Sequence, residues 1–268
     1  MSAEDRSHQI AEGTRFEFGK NWTNFLSTLD EEKIGAAKES LRTMLEFSEL
    51  RGKTFLDVGS GSGLFSLAAK LLGANVFSFD YDPQSVACTN TLKGRYFNND
   101  ESWRIEQGSV LDKTYVSNLG QFDIVYSWGV LHHTGNMWSA LENVASCVAR
   151  RGSLFIAIYN DQGWISKYWR MVKKTYNKLP VLKPVLIFIH FPYVVGARFF
   201  VRLVSGRLKL GRGMNLWHDM LDWIGGFPFE VAKPEEIHEF YRREGFVLTR
   251  LRTCGGKYGC NEFVFTRE

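Results

Sequence analysis

The chain has 268 residues, 44% of them hydrophobic and 23% charged, with a formal net charge of +4 and four cysteines. This composition supplies enough apolar surface for one large folded domain and excludes an intrinsically disordered protein, and the cysteines show neither disulfide-like nor zinc-like spacing. The polar first residues lack the apolar core of a signal peptide, and no uncharged apolar run reaches the roughly 20 residues that cross a bilayer, so we expect a cytoplasmic protein.

The first fifty residues are predicted to be helical, because apolar residues recur at helical spacing from residue 31 to residue 47. From residue 54 onward, short runs of β-branched and aromatic residues alternate with helical patterns. This alternation predicts a parallel sheet with helices on both faces. The predicted strands cover residues 54–59, 75–80, 103–110, 122–128, 152–160, 246–253 and 261–268, and the predicted helices cover 64–73, 83–96, 136–150 and 234–245.

A glycine-rich loop, LDVGSGSG at 56–63, follows the first predicted strand. Glycines let a ligand approach the backbone closely, although a tight strand–helix turn is the simpler alternative. A dinucleotide fingerprint would place its third glycine where the chain has Leu64, and the carboxylate of Asp57 would repel a pyrophosphate. S-adenosylmethionine carries a positive amino group and a positive sulfonium, and therefore suits this loop better. Asp80 ends the second strand, where it can accept hydrogen bonds from both ribose hydroxyls, and Tyr81 can pack on the adenine.

The chain resembles the class I S-adenosylmethionine-dependent methyltransferases, and within them the quinol-type O-methyltransferases. The resemblance rests on LDVGSGSG at 56–63, FSFDYD at 77–82, GSVLD at 108–112 and FDIVYSWGVLHH at 122–133. It implies an α/β fold with a Rossmann-like, seven-stranded, mainly parallel sheet, helices on both faces and an antiparallel last strand. It also implies S-adenosylmethionine as the cofactor, held by Asp57, Gly59, Ser60, Gly61, Gly63, Asp80, Tyr81, Ser109, Val110, Ser127 and Trp128.

The adenine edge of this predicted site departs from the family pattern. The family often carries an Asp at the position of Ser109, so Asp112 is an alternative adenine-edge residue in this chain. At the other end of the site, Ser127, Trp128 and Gly129 end the fourth strand, and the resemblance places them beside the transferable methyl group.

Catalytic candidates lie directly after the fourth strand, at the sheet edge where ligands bind in open α/β folds. A base is useful when the methyl acceptor is a hydroxyl or a protonated amine, and histidine has a suitable pKa, so we expect His132 or His133 to act there. Of the two, we favour His133; the alternative is that one of them caps the following helix or packs in a loop.

Further polar residues are predicted to contact the substrate. Tyr159 and Asn160 end the fifth strand at the same edge. A second polar cluster between 212 and 222 contains His218, a further catalytic candidate that would share a helix face with Asp222. The predicted substrate contacts are Tyr159, Asn160, Arg212 and Asp219. We predict no metal site, because no third ligand has a suitable spacing.

A strongly basic segment follows the fifth strand. Residues 162–218 contain eleven lysines and arginines and no Asp or Glu, interleaved with aromatic and aliphatic residues. In the family this connection often carries substrate-recognition elements, so we expect an apolar lid with a cationic rim around an amphiphilic or anionic acceptor. Contact with an anionic membrane surface, internal packing and a homodimer interface are the alternatives. The apolar content is too high for a groove that tracks nucleic-acid phosphates.

These patterns divide the chain into four predicted regions. They are an N-terminal helical lid (1–50) whose aromatic stretch is expected to fold over the cofactor, a cofactor-binding core (51–160), a helical insertion (161–232), and a C-terminal helix with two strands that complete the core (233–268). The expected activity is methyl transfer to a small or lipid-like molecule, with oxygen favoured as acceptor. The alternatives are a tRNA-modifying methyltransferase and a non-catalytic binding protein on the same fold.

Overall fold

The computed structural model describes residues 8–18, 22, 25–192 and 223–268. Seven strands form one sheet in the order β3-β2-β1-β4-β5-β7-β6. Strands β1 to β5 are parallel, and β7 runs antiparallel to both β5 and β6. The strands are β1 Thr54–Val58, β2 Asn75–Asp80, β3 Trp103–Gln107, β4 Phe122–Trp128, β5 Val148–Tyr159, β6 Phe246–Arg252 and β7 Cys260–Arg267. The predicted fold class is confirmed.

Eight α-helices have defined bounds in the described residues. They are α1 Glu31–Leu45, α2 Leu64–Leu71, α3 Pro83–Tyr96, α4 Lys113–Asn118, α5 Met137–Ser146, α6 Trp164–Lys178, α7 Lys183–Phe191 and α8 Pro234–Arg243. Local chemistry sets several of their starts. The Asp82 side chain accepts a hydrogen bond from the backbone N–H of Gln84 at the start of α3, where Pro83 occupies the first turn.

Two apolar cores cover the two faces of the sheet. Buried strand residues alternate between them: Leu56 and Val58 belong to one, and Phe55 belongs to the other. A third, smaller cluster joins α6 to residues 223–231 and contains Trp169, Val172, Tyr176, Ile224 and Phe229. The insertion after β5 therefore has a core of its own.

Three predicted boundaries differ from the structure by three or more residues. The helix predicted for 136–150 ends at Ser146, and the strand predicted to begin at residue 152 already begins at Val148. The cause is an irregularity in the pairing of β4 with β5, where Phe122 opposes Val148 but Ile124 opposes Ser153. The third strand ends at Gln107 rather than at residue 110.

Most of the predicted insertion before residue 192 is helical, since α6 and α7 both lie in it. Residues 193–222 lie outside the described residues, and so do the predicted site residues Arg212, His218 and Asp219. None of the helices in the described ranges is both long enough and apolar enough to cross a membrane.

Candidate functional site

A cavity of about 230 Å³ opens at the carboxyl ends of β1, β2 and β4. This is the sheet edge at which open α/β folds bind ligands, because successive strands are added on one side of β1 up to β3 and on its other side from β4 onward. Eleven of the residues predicted from the sequence to form the site line this cavity: Asp57, Gly59, Ser60, Gly61, Asp80, Tyr81, Ser109, Val110, Trp128, Gly129 and His133.

The glycine loop is fastened to the end of β2. The backbone N–H groups of Gly59 and Ser60 both donate to the carbonyl of Phe79, and that of Gly61 donates to Asp80 Oδ2. Gly59 has a φ of +78°, and a Cβ there would lie 2.4 Å from Cγ1 of Val130. Only glycine fits this position, because a side chain would both strain the backbone and collide with the loop after β4.

Asp57 is a buried carboxyl group on the cavity wall, only 2% exposed. Ser66 Oγ donates to its Oδ2 at 2.5 Å. Burial raises the pKa of Asp57 to about 7, while the Ser66 hydrogen bond opposes the rise and the nearby Asp80 adds to it. Burial disfavours the ionised form of Asp57. A cationic ligand beside it would stabilise that form, because water does not solvate the carboxylate and so does not weaken their attraction.

Asp80 lies at the carboxyl end of β2 and organises the rim of the cavity. Its Oδ2 accepts from Gly61 N at 2.9 Å, and its Oδ1 accepts from Asp82 N at 2.8 Å. Next to it, the ring of Tyr81 lies with its centroid 5.1 Å from the guanidinium carbon of Arg15. The two acids at the ends of neighbouring strands thus face one cavity, as the sequence predicted.

Of the adjacent pair His132 and His133, His133 is the one that lines the cavity, and it is held in one orientation. Its Nδ1 lies 2.6 Å from the carbonyl oxygen of Pro228. A carbonyl can only accept, so Nδ1 carries the proton and Nε2 carries the lone pair. Burial lowers the pKa of His133 to about 3, the hydrogen bond to Pro228 opposes this, and the positive charges of Lys173 and Arg15 add to it. The imidazole is therefore neutral at physiological pH.

His132 occupies a different place from its neighbour. It is fully buried, its Nδ1 accepts from Tyr159 N at 3.3 Å, and its ring centroid lies 3.9 Å from that of Tyr159. Burial lowers its pKa well below the usual value. His132 does not line the cavity, so the structure places it behind the site.

Several other predicted site residues also lie away from the cavity wall. Gly63 caps the N-terminus of α2, and Ser127 Oγ donates to the carbonyl of Val58 inside the core. Tyr159 and Asn160 instead line a second, small cavity of about 10 Å³ beside the insertion. Asp112, the alternative adenine-edge residue, accepts from Tyr115 N at the start of α4 and is absent from the cavity wall.

The N-terminal segment contributes cavity-lining residues that sequence reasoning did not name individually. Arg15, Phe16, Phe18, Trp22 and Phe25 all line the cavity. Arg15 donates to the carbonyl oxygens of His133 and Thr134, at 3.3 and 3.4 Å, and so ties this segment to the loop after β4. The sequence predicts that the aromatic stretch covers the ligand site. It does not predict the role of Arg15, because the contacts of Arg15 span 118 and 119 residues of sequence.

No group of three or more His, Cys, Asp or Glu side chains suited to a metal ion occurs in the described part of the chain.

Comparisons with known proteins agree with this geometry. A family model described as a methyltransferase domain matches residues 56–154. The ubiquinone biosynthesis O-methyltransferase of Cronobacter sakazakii is 25% identical over 191 residues, which cover 70% of this chain and 66% of that protein. The ribosomal protein L11 methyltransferase of Prochlorococcus marinus AS9601 is 32% identical over 112 residues, which cover 41% of this chain and 36% of that protein. The matched parts thus span less than two thirds of each relative.

Solved structures show the same fold at low sequence identity. Magnesium protoporphyrin IX methyltransferase from Synechocystis PCC 6803, crystallised with bound SAH, has a TM-score of 0.52 at 13% identity and covers 99% of this chain and 94% of its own. The crystal structure of that protein with bound SAM has a TM-score of 0.53 at 12% identity, with coverages of 100% and 92%. An O-methyltransferase family protein from Burkholderia thailandensis has a TM-score of 0.54 at 12% identity, with coverages of 88% and 57%.

Proposed function

We propose that this chain, which carries a class I S-adenosylmethionine-dependent methyltransferase domain, transfers the methyl group of S-adenosylmethionine to a small or amphiphilic acceptor, with oxygen the favoured acceptor atom. The family predicted from the sequence is confirmed. One observation carries the proposal: a single cavity brings together an open glycine loop, two carboxyl groups and a neutral, oriented imidazole.

The residues of the cavity suit this methyl donor. The donor supplies a methyl group on a positively charged sulfur, together with a positive amino group. Gly59 and Gly61 leave the backbone accessible, and Asp57 offers a desolvated carboxyl whose ionised form a cation stabilises. We assign Asp80 to the ribose hydroxyls, because it lies at the end of β2, and Tyr81 and Ser109 to the adenine.

The acceptor side of the cavity is aromatic and contains one oriented nitrogen acceptor. Phe16, Phe18 and Trp128 line it together with His133. With Nδ1 committed to Pro228, Nε2 is the nitrogen that can accept a hydrogen bond from an acceptor hydroxyl. A pKa of about 3 makes His133 a weak base in the ground state. We therefore assign it to orienting the hydroxyl and receiving its proton only as the new carbon–oxygen bond forms and the carbon–sulfur bond of the donor breaks, which leaves the donor sulfur as a neutral thioether.

The similarity to the ubiquinone biosynthesis O-methyltransferase supports an oxygen acceptor and an amphiphilic substrate class, since it covers 70% of this chain. The similarity to the ribosomal protein L11 methyltransferases covers 41% of this chain and 36% of the relative, which is less support for a protein substrate.

The test is a screen of cell extract for label transfer. The purified chain is incubated with S-adenosylmethionine carrying an isotopically labelled methyl group and with separate metabolite, lipid and RNA fractions. We expect label in the metabolite or lipid fraction, on an oxygen atom when the product is fragmented. Label in the RNA fraction alone would refute the acceptor class, label on nitrogen or sulfur would refute the oxygen assignment, and no label in any fraction would favour a non-catalytic binding protein.

A histidine pair provides the matched control for this assay. His133→Ala should lower the rate, whereas His238→Ala, an exposed histidine on α8, should not. Equal rates for these two variants would refute the role of His133.

A further inference from the structure

The outer face of α6 is apolar where a solvated helix would be polar. Trp164, Tyr168 and Met171 are 75%, 39% and 59% exposed. They are spaced four and three residues apart, which places them on one face of the helix. The opposite face packs in the small core of the insertion through Trp169, Val172 and Tyr176.

The turn after α6 and helix α7 continue this exposed apolar surface. Val181, Val185, Phe188 and Ile189 are 87%, 51%, 80% and 59% exposed, again at helical spacing. His190 fastens α7 to α6, because its Nε2 lies 2.7 Å from the hydroxyl of Tyr168. The two helices therefore form one hairpin whose outer apolar residues we call the α6–α7 face.

Cations flank this face, and the two helices that form it contain no acidic residue. Lys167, Arg170, Lys174 and Lys178 are all exposed on α6. Residues 162–218 contain no Asp or Glu, so the hairpin carries no acid that could neutralise them locally. By contrast, Lys173 is completely buried against the rings of Trp223 and Phe229 and is not part of the face.

We propose that the α6–α7 face docks the protein on the surface of an anionic lipid bilayer. Contiguous exposed apolar patches are unusual on monomeric proteins and mark interaction sites. Trp and Tyr favour the boundary between lipid chains and headgroups, and lysines can extend from that depth to anionic headgroups. A second copy of the chain fits less well, because a two-fold contact would bring the cations of two identical faces together.

The hairpin also contacts the segment that holds the proposed catalytic histidine. Arg170 Nε donates to the carbonyl of Phe229 at 3.1 Å, and the adjacent Pro228 accepts from His133. This contact would place the acceptor side of the cavity close to the membrane from which a lipid-like substrate enters. Its bearing on catalysis rests on the proposed function. Docking itself does not require methyl transfer.

The experiment measures co-sedimentation of the full chain with vesicles of phosphatidylcholine alone and of equal parts phosphatidylcholine and phosphatidylglycerol. We expect binding to the mixed vesicles that weakens as salt rises, and much weaker binding to phosphatidylcholine. The variants are Phe188→Ser with Ile189→Ser, and separately Lys167→Gln with Lys174→Gln. The lysine pair should reduce the bound-to-free ratio by at least about tenfold, since each juxtamembrane charge changes it by about fivefold. The apolar pair should reduce it by at least about tenfold as well, because it removes two large apolar side chains that would be buried in the bilayer interface.

Matched control variants change the same residue types elsewhere on the surface. Val247→Ser with Leu251→Ser removes two apolar residues of β6 that are 47% and 43% exposed, and Arg104→Gln with Lys113→Gln removes two exposed cations. These controls should bind vesicles as the parent does. Circular dichroism establishes that each variant is folded. S-adenosylmethionine binding, measured on the same variants, tests the proposed function separately from docking.

Four outcomes would overturn docking. The first is equal binding to both vesicle types, and the second is an equal loss of vesicle binding in the face variants and the control variants. The third is a dimer in light scattering that Phe188→Ser with Ile189→Ser dissociates, while the parent binds no vesicles. The fourth is RNA binding through Lys167 and Lys174 without vesicle binding.

Discussion

Replacing Asp57 by Asn removes a buried carboxyl group while preserving the shape that accepts the Ser66 hydrogen bond. The pKa of Asp57 is about 7 in the folded chain, against an ordinary value of 3.8. Because the folded pKa is raised, its contribution to stability is complete below pH 3.8 and is lost as pH rises through 7. A difference of about three pH units corresponds to about 4 kcal/mol in total, of which about 3 kcal/mol falls between pH 5 and pH 8.

The assay is urea unfolding of the parent and of Asp57→Asn at pH 5 and at pH 8. The free energy of unfolding of the variant, relative to the parent, should rise by about 3 kcal/mol over this interval, because only the parent must ionise a buried carboxyl. The depressed pKa values of His132 and His133 act in the opposite direction, destabilising the fold as pH falls below 6.5, but both proteins share them and they cancel in the difference. A difference between variant and parent that does not change with pH would refute the reasoning.

The same group predicts how cofactor affinity depends on pH. A cation beside Asp57 favours ionisation and lowers its pKa, so binding below pH 7 should release a proton. The affinity for S-adenosylmethionine should therefore increase as pH rises from 5 to 7 in the parent, and should lack this dependence in Asp57→Asn. Titration calorimetry in buffers of different ionisation enthalpy counts the protons released.

Three further substitutions test the rest of the site. Asp80→Asn places an amide N–H₂ against a backbone donor, so we expect at least about tenfold weaker S-adenosylmethionine binding by calorimetry, and unchanged affinity would contradict its role. His133→Ala should reduce turnover by about tenfold to a hundredfold while changing the dissociation constant of the methyl donor by less than about twofold, and a loss confined to donor binding would contradict the assignment. Gly59→Ala should lower the melting temperature more than Gly120→Ala: both glycines have φ near +80°, but only the first Cβ would collide with Val130. Equal losses would show that backbone strain alone is responsible.

The sheet could be read from the sequence because buried parallel strands produce short, continuous apolar runs between helical patterns. The runs for β1, β2 and β4 matched the observed strands to within one residue. The start of β5 could not be read in this way, because Arg151 adopts a φ of +60° in an irregular pairing that leaves no periodic signal. For the same reason the sequence predicts a helix up to residue 150, whereas α5 ends at Ser146.

The meeting of Asp57 and Asp80 at one cavity was predictable because they lie at the ends of β1 and β2, and the ends of parallel strands meet at one edge. The position of the histidines relative to the cavity was not. His132 and His133 are adjacent in sequence, and only the short helical turn at Leu131–His133 decides which imidazole reaches the cavity. Arg15 and Pro228 reach His133 through contacts far apart in sequence, for which neither spacing nor composition provides a signal.

The proposed function requires above all that the cavity at the ends of β1 and β2 accepts a cationic methyl donor. Isothermal titration of the parent chain with S-adenosylmethionine, and in parallel with a nicotinamide dinucleotide, tests this directly. We predict saturable one-to-one binding of S-adenosylmethionine and no measurable heat from the dinucleotide. Binding of the dinucleotide without binding of S-adenosylmethionine would contradict the account.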